Sequence, residues 1–401
     1  MNAKWQFGKT GFLGLLLSVL ICGQSFGQPP VTTLSPQAEL SLLTCSPGTE
    51  LYSIFGHSAF RVHDPVSRLD WVYNYGVFEF DTPNFVLKFA RGKLRYYVLS
   101  YSYRHFHREY LTEGRSIKEQ VLNVNDAQKT AIFKALMTNE LPENKYYAYD
   151  FFFDNCSTRE RDLLQNALGE DLRFHPRKGD DYGSYRDLID TYLRNDVWAD
   201  FGIDLLLGLP TDADAHQKGA VFLPDYLFEA LASAEIKENG AWKPLVSKTQ
   251  TLLDLPETPI TAFQYSPHVL TWGIFVVALL FSFLGFKNKK AYKGFDIAFF
   301  LMLALLGTLM LLFWIGTNHQ ATYKNLNMLW AWPFNYILVI GLIGKRRQSW
   351  VRVFAKFGFP AMAFILATHW LLPQVFHAAV LPLMMAATLR LGMIWHRTKA
   401  S

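Results

Sequence analysis

A chain of 401 residues, half of them hydrophobic and 16% aromatic, is long enough for more than one domain, and its overall charge of +5 conceals a sharp split. After Pro267 the sequence holds thirteen Lys/Arg against a single acid, Asp296; that tail contributes +12 and the leader's Lys4 and Lys9 another +2, so residues 29–267 carry −9. An acidic domain of this kind excludes a nucleic-acid partner, whose phosphates demand a basic face, and the positive excess belongs to loops beside a membrane.

In chain order, Lys4 and Lys9 flank the start of an apolar run, Phe12–Ile21, too short to span a bilayer, and Ser25-Phe26-Gly27 supplies small residues for a peptidase. Residues 1–27 are expected to be a secretory signal cleaved before Gln28. Cys22 does not fit a lipoprotein anchor, because Ile21 before it is too bulky. Residues 28–267 then read as one exported domain. Weak alternation predicts a strand over Glu39–Cys45, and Ser58–His63 with Asp70–Phe78 predict a hairpin around Asp64-Pro65. Leu94–Tyr103 and Gln120–Val124 are further strands, and Asn125 caps a helix running to Asn139. An aromatic approach, Tyr146–Phe153, leads to a helix over Ser157–Ala167 closed by Gly169. Helices follow over Tyr185–Arg194, Trp198–Leu207 and Pro224–Ala234, and 236–267 reads as a connector with a short strand near Trp242–Val246.

Residues 268–401 carry five apolar runs, Val269–Phe286, Phe295–Thr317, Met328–Gly344, Phe354–Leu372 and Ala378–Trp395, each near the length of a membrane helix. With five spans, the clusters Lys287/Lys289/Lys290/Lys293, Lys345/Arg346/Arg347/Arg352/Lys356 and Arg397/Lys399 all fall on one side. That is the positive-inside pattern, and it agrees with the signal in placing the exported domain outside the cytoplasm. The outer loops hold Asn318, His319, Tyr323, Asn325, Asn327, Trp330 and Trp332, then His369, Gln374 and His377. Tyr and Trp there suit an interfacial belt, whereas polar groups near membrane depth tend to be functional; His319, Tyr323, Asn325, His369 and His377 are the substrate-binding candidates.

The chemistry-bearing residues are His57, in Gly56-His57-Ser58 at the mouth of a strand, and Cys156, in Asn155-Cys156-Ser157-Thr158 at the mouth of a helix. An imidazole and a helix N-terminus both favour a thiolate, so Cys156 is the candidate nucleophile, its backbone N–H a candidate oxyanion donor, and His57 the candidate base. If the hairpin turns near Val66, His57 lies opposite Asn74–Gly76. Asn74 is then the expected orienting group, with Asp70 second. Tyr149 is placed to donate its hydroxyl to a developing oxyanion, and Arg159 either holds a phosphate or solvates the helix. His105 and His107 form an H-x-H pair on a predicted strand, but no third ligand accompanies them, so no metal and no cofactor is expected. The mature chain keeps Cys45 and Cys156, and a Cys45–Cys156 disulfide in a binding protein is the non-enzymatic alternative.

Gly56-His57-Ser58 followed by Asn155-Cys156 resembles a circularly permuted NlpC-type papain fold, as in relatives of lecithin:retinol acyltransferase. Cys45-Ser46-Pro47-Gly48, Phe55-Gly56-His57-Ser58-Ala59, Asp154-Asn155-Cys156-Ser157-Thr158-Arg159 and the C-terminal apolar runs are similar, over nearly the whole chain, to the Bacteroides-type lipoprotein N-acyltransferases. The resemblance implies an α+β, circularly permuted papain-like domain followed by an α-helical five-span domain in the bacterial inner membrane. It also implies a two-step reaction in which Cys156 takes an acyl chain from a phospholipid as a thioester and passes it to the α-amine of a diacylglyceryl-cysteine lipoprotein. The rival enzyme is a membrane-anchored NlpC-type peptidase or amidase acting on cell-wall peptides, with water as acceptor.

Overall fold

A computed structural model describes residues 33–78, 83–175, 182–256, 265–344 and 348–400. The signal segment and the basic run 345–347 lie outside the described residues.

The exported part is built on one antiparallel sheet. Its strands are β1 (Glu39–Cys45), β2 (His57–Asp64), β3 (Leu69–Val77), β4 (Arg95–Ser102), β5 (Ile117–Leu122), β6 (Tyr146–Ala148) and β10 (Val246–Leu253), in the order β10-β5-β1-β2-β3-β4-β6. The β2–β3 turn is set by Asp64, whose buried carboxylate accepts from Ser35 and from the N–H groups of Val66 and Ser67. Those bonds hold its pKa far below the usual carboxylate range although desolvation opposes them.

Period-2 alternation sorts the strand residues onto two faces. Leu40, Leu42, Phe60, Val62, Tyr73 and Tyr75 face a layer of helices comprising α3 (Asp126–Glu140), α4 (Cys156–Leu168) and α8 (Pro224–Ser233). Leu43, Cys45, Ala59 and Val72 face α2 (Tyr103–Glu113) through Phe106 and Tyr110. The α3 start has the predicted Asn125 cap, which the structure completes as a capping box with Asn125 and Gln128 bonded reciprocally.

Four departures from the sequence reading have physical causes. Residues 103–113 continue past β4 as helix rather than strand, because Ser102 caps the His105 N–H; His105 and His107 are then two positions apart on a helix and do not share a face. A short helix, α1 (Phe85–Ala90), precedes β4. The supposed connector is instead a hairpin, β8 (Glu235–Glu238) and β9 (Ala241–Pro244), turned by Asn239-Gly240 at positive φ, and β10 closes the edge of the main sheet beside β5.

The fourth departure concerns the membrane part. Among the described residues four helices are long and apolar enough to cross a membrane: Pro267–Lys287 (α9), Lys293–Gly316 (α10), Ser349–Leu371 and Ala378–Thr398. The third predicted run yields only a nine-residue helix, α11 (Asn335–Ile343), about 14 Å long at 1.5 Å per residue. Before it, Trp330 and Ala331 run irregularly, fully buried among the helices, and a Cβ on Gly307 of α10 would collide with the Ala331 carbonyl. Such backbone is tolerated at membrane depth only inside protein. The single acid of this part, Asp296, is held bidentately by Arg390 at 2.7 and 3.0 Å, and Arg390 also donates to Ser282, tying three helices together.

Candidate active site

The start of α4 is fixed by Asn155. Its side chain accepts from Thr158 N at 3.0 Å while Thr158 Oγ1 accepts from the Asn155 N–H at 2.8 Å. Asn155 Nδ2 donates to the carbonyls of Phe151 and Phe222, so the start cannot slip by a residue. Cys156 is thereby the first helical residue, its N–H unclaimed by intrahelical bonds and at the positive end of the dipole. Its Sγ lies 3.8 Å from Ser157 Oγ, and Ser157 Oγ is 2.9 Å from Ser58 Oγ, which pins the helix start to the start of β2.

His57 opens β2 after Gly56, whose φ of +78° and closeness to the Cys45 carbonyl suit glycine alone. His57 Nε2 lies 2.7 Å from Asn74 Oδ1; Asn74 Nδ2 donates to the Tyr101 hydroxyl at 2.9 Å, and that hydroxyl donates to Glu109 at 3.2 Å. The direction of this chain is set at its far end, because a carboxylate only accepts. It leaves the imidazole proton on Nε2 and the Nδ1 lone pair available to take one. Burial, reinforced by the Arg115 guanidinium, lowers the His57 pKa to about 4 against the pull of the Asn74 bond. The ring stacks on Tyr110 with centroids 6.5 Å apart.

The sheet therefore places the two residues differently. His57 is turned toward α2 with Asn74, whereas Ser58 and Cys156 face the α4 side. Among the described residues no hydrogen bond joins His57 to Cys156; the Ser58–Ser157 bond ties together the residues that follow them in sequence. Asp70 is elsewhere, bonded to Arg61 at 2.7 and 2.9 Å. Cys45 and Cys156 are both free and buried, so the disulfide alternative is not formed. Burial pushes the Cys45 thiol above the ordinary range, which keeps it neutral.

Two tyrosines border Cys156. Tyr149 stacks on Tyr96 at 4.2 Å, and Tyr147 is buried with no partner for its hydroxyl among the described residues. Both converge on Gly76, within 4.0 Å of where a Cβ would stand. Burial first, and then the charge of a thiolate at Cys156, raise both hydroxyls well above the ordinary tyrosine pKa, so both stay protonated donors. Sequence reasoning passed over Tyr147, and it passed over Glu160. Glu160 sits four residues after Cys156 on the same helix face, fully buried, with neither carboxyl oxygen in a hydrogen bond; Ser58 is a near neighbour short of bonding geometry. Burial and the neighbouring thiol push its pKa well up, so it is a neutral acid. The i, i+4 spacing from the cysteine was the available signal.

The other candidates sort as follows. Arg159 pairs with Asp154 at 2.6 Å and covers the Tyr147 ring at 3.5 Å. Tyr323 is exposed, and His369 bonds its own helix end through the Leu366 carbonyl. His319, Asn325 and His377 join the two parts of the chain. Asn325 is buried and donates to the carbonyls of Leu205 and Leu206 at the end of α6 (Val197–Leu206). His377 Nε2 lies 3.3 Å from Asp200 of the same helix. His319 Nε2 lies 3.1 Å from the Phe89 carbonyl of α1 and within electrostatic reach of Asp150, next to Tyr149, whose pKa burial raises. Gln374, bonded to Leu207 O, extends the same seam. Three carboxylates spaced as if to hold a cation, Asp190, Asp200 and Asp204, with an oxygen of each within 4.8 Å of the others, lie there too; Arg186 bonds Asp204, and burial with its acidic neighbours raises Asp190 to about 7.

An acidic α+β domain seated on the outer ends of an apolar helical bundle, with a thiol near the seam, defines a multi-pass inner-membrane protein whose N-terminal domain faces the periplasm. Two family models match in order along the chain: the Lnb N-terminal periplasmic domain over residues 32–191 and the Lnb transmembrane domain over residues 259–401. Together they take in about three quarters of the sequence, and the chain belongs to the Lnb family, the Bacteroides-type lipoprotein N-acyltransferases that its motifs resemble. No curated protein and no solved structure matched.

Proposed function

We propose that this protein is a lipoprotein N-acyltransferase that carries the acyl chain on Cys156. On substrate binding His57, whose ring faces α2 with Asn74, closes on Cys156, its Nδ1 takes the thiol proton, and the thiolate attacks the carbonyl carbon of a phospholipid ester. The resulting oxyanion is met by the Cys156 N–H and a hydroxyl from Tyr149 or Tyr147. Collapse breaks the ester C–O bond, and the lysophospholipid oxygen leaves with the proton from His57. The α-amine of a diacylglyceryl-cysteine then attacks the thioester carbonyl, His57 receives the amine proton, and the thiolate leaves and is reprotonated as the amide forms. An α-amine with a pKa near ~8 is partly neutral and nucleophilic in the periplasm. The thioester conserves the acyl bond energy, so no nucleotide is needed.

The observation that carries this reading is the position of the thiol. Tyr149 stands beside Cys156, and its chain neighbour Asp150 is within electrostatic reach of His319, three residues past the end of α10. This nearness to the membrane part supports a site served from the bilayer, where both proposed substrates reside and where helices can hold them. A cell-wall amidase would need the same pocket open to soluble glycan peptides. Supplying the purified protein with a diacyl phospholipid and a synthetic diacylated lipopeptide tests the proposal: an N-acylated lipopeptide and a lysophospholipid are expected in equal amounts. Cleavage of peptidoglycan fragments with no acyl transfer would replace it with the amidase.

A further inference from the structure

The mechanism leaves α1 unused. This helix lies between β3 and β4, and it exposes Leu87 and Phe89, 57% and 54% accessible. Apolar side chains this open on a domain surface mark an interaction site. Its location is fixed by the membrane part: Asn318 N donates to the Arg91 carbonyl at 2.9 Å, and the Phe89 carbonyl meets His319. Gly92, at φ +62°, packs directly on His319, where a Cβ would come within 3.3 Å of the ring. Asn318 and His319 follow immediately on the last turn of α10, whose Leu312 and Ile315 are themselves 56% and 70% exposed on the surface that meets lipid. Leu87 and Phe89, two positions apart, leave opposite sides of this short helix and are both exposed, so the whole turn projects, level with the lipid-facing belt of the bundle. The residues from Leu87 to Arg95 include Lys88, Arg91, Lys93 and Arg95 and no acid, in a domain that is otherwise strongly acidic. Apolar side chains flanked by cations are the pattern of an interfacial element dipping into anionic or zwitterionic headgroups.

We propose that α1 is a membrane-inserting element of the periplasmic domain, with Leu87 and Phe89 seated among the acyl chains of the outer leaflet and Arg91, Lys93 and Arg95 at the lipid phosphates. One link joins it to the thiol pocket: α1 leads directly into β4, whose Tyr96 stacks on Tyr149. In the acyltransferase reading, on which only this last consequence rests, α1 loosens a phospholipid next to the path toward Cys156.

The test uses the full chain in nanodiscs of phosphatidylethanolamine and phosphatidylglycerol. Nitroxide labels are placed at Leu87→Cys, Phe89→Cys and, as reference, Val66→Cys at the opposite end of the β2–β3 hairpin, in a Cys156→Ser background; Cys45 is fully buried. Depth is read by collisional relaxation. Labels at 87 and 89 are expected to favour oxygen over a water-soluble nickel chelate, and the label at 66 the reverse. Nickel access at 87 and 89 equal to that at 66 would overturn the proposal, as would shielding from both reagents, which would mean that a protein covers the patch. A second arm compares Leu87→Asp/Phe89→Asp with the unaltered chain in acyl loading of Cys156. Loading from bilayer lipid is expected to fall about tenfold, and loading from the same lipid in detergent micelles to stay within about twofold. Equal loss in both settings contradicts the link to the pocket. Absence of loading in the unaltered chain would sink the acyltransferase reading while the depth measurement still decides the insertion.

Discussion

The two faces of the seven-stranded sheet solve different halves of one chemical problem. On the α4 face, Cys156 sits at a helix start among tyrosines that stay protonated and a neutral Glu160. On the α2 face, a one-way chain from Glu109 through Tyr101 and Asn74 fixes which nitrogen of His57 is bare. The difference teaches that the proposed nucleophile and base are tuned by separate sets of neighbours, tied together through the Ser58–Ser157 bond beside them. Perturbing one face should therefore leave the character of the other intact.

The largest effects fall on the proposed nucleophile and base. Cys156→Ala should remove acyl transfer altogether, a loss of about 10³-fold or more, whereas Cys45→Ala should leave turnover near normal and cost only stability; both are read from lipopeptide acylation and thermal melts. Loss of transfer on replacing Cys45 alone would reassign the nucleophile. His57→Ala should lower turnover by roughly 10²–10⁴-fold, the usual worth of a general base. Asn74→Ala should cost less, roughly tenfold, because it removes the tautomer lock and not the proton acceptor.

A pH profile sharpens the contrast. With its pKa lowered to about 4, His57 is neutral and able to accept a proton across the working range, so the acid limb of activity should lie near 4 rather than 6.5. Arg115→Gln removes a cation that disfavours the imidazolium, so that limb should move upward. The linkage has a definite sign: between about 4 and 6.5 the unfolded chain binds this proton and the folded chain does not, so this group makes stability fall as pH drops through that window. On the α4 face, Glu160→Gln keeps a neutral side chain of the same shape and should leave activity within about threefold, while Glu160→Ala should destabilise by roughly 1–3 kcal/mol through the cavity.

How much of this was legible follows from what each signal depends on. Local chemistry was readable: the helix start beside Cys156, the Asn125 cap, the β2–β3 turn at Asp64 and the pairing of His57 with Asn74 all follow from short-range spacing. Long-range partners were not. Asn325 and His377 read as substrate contacts because polar groups near a membrane usually act, yet they bond α6, more than a hundred residues away in sequence. The third apolar run satisfied the hydropathy rule for a span, but hydropathy is blind to Gly307 making room for an irregular crossing. The Asn239-Gly240 hairpin signal was present and was passed over. The smallest predicted effect belongs to that seam: Asn325→Ala leaves two α6 carbonyls unpaired and should cost roughly 1–3 kcal/mol in domain docking, seen as earlier proteolysis near α6, with Cys156 still open to alkylation.

The central claim is a covalent acyl-enzyme at Cys156. Intact-protein mass spectrometry after incubation with a diacyl phospholipid and no amine tests it most directly. The account predicts a mass increase of one acyl chain that maps to Cys156, is released by neutral hydroxylamine, is absent in Cys156→Ser, and is discharged by a diacylated lipopeptide with a free α-amine but not by its N-acetylated form. Acylated lipopeptide appearing at full rate in Cys156→Ala, or an acyl group mapping to any other residue, would contradict it.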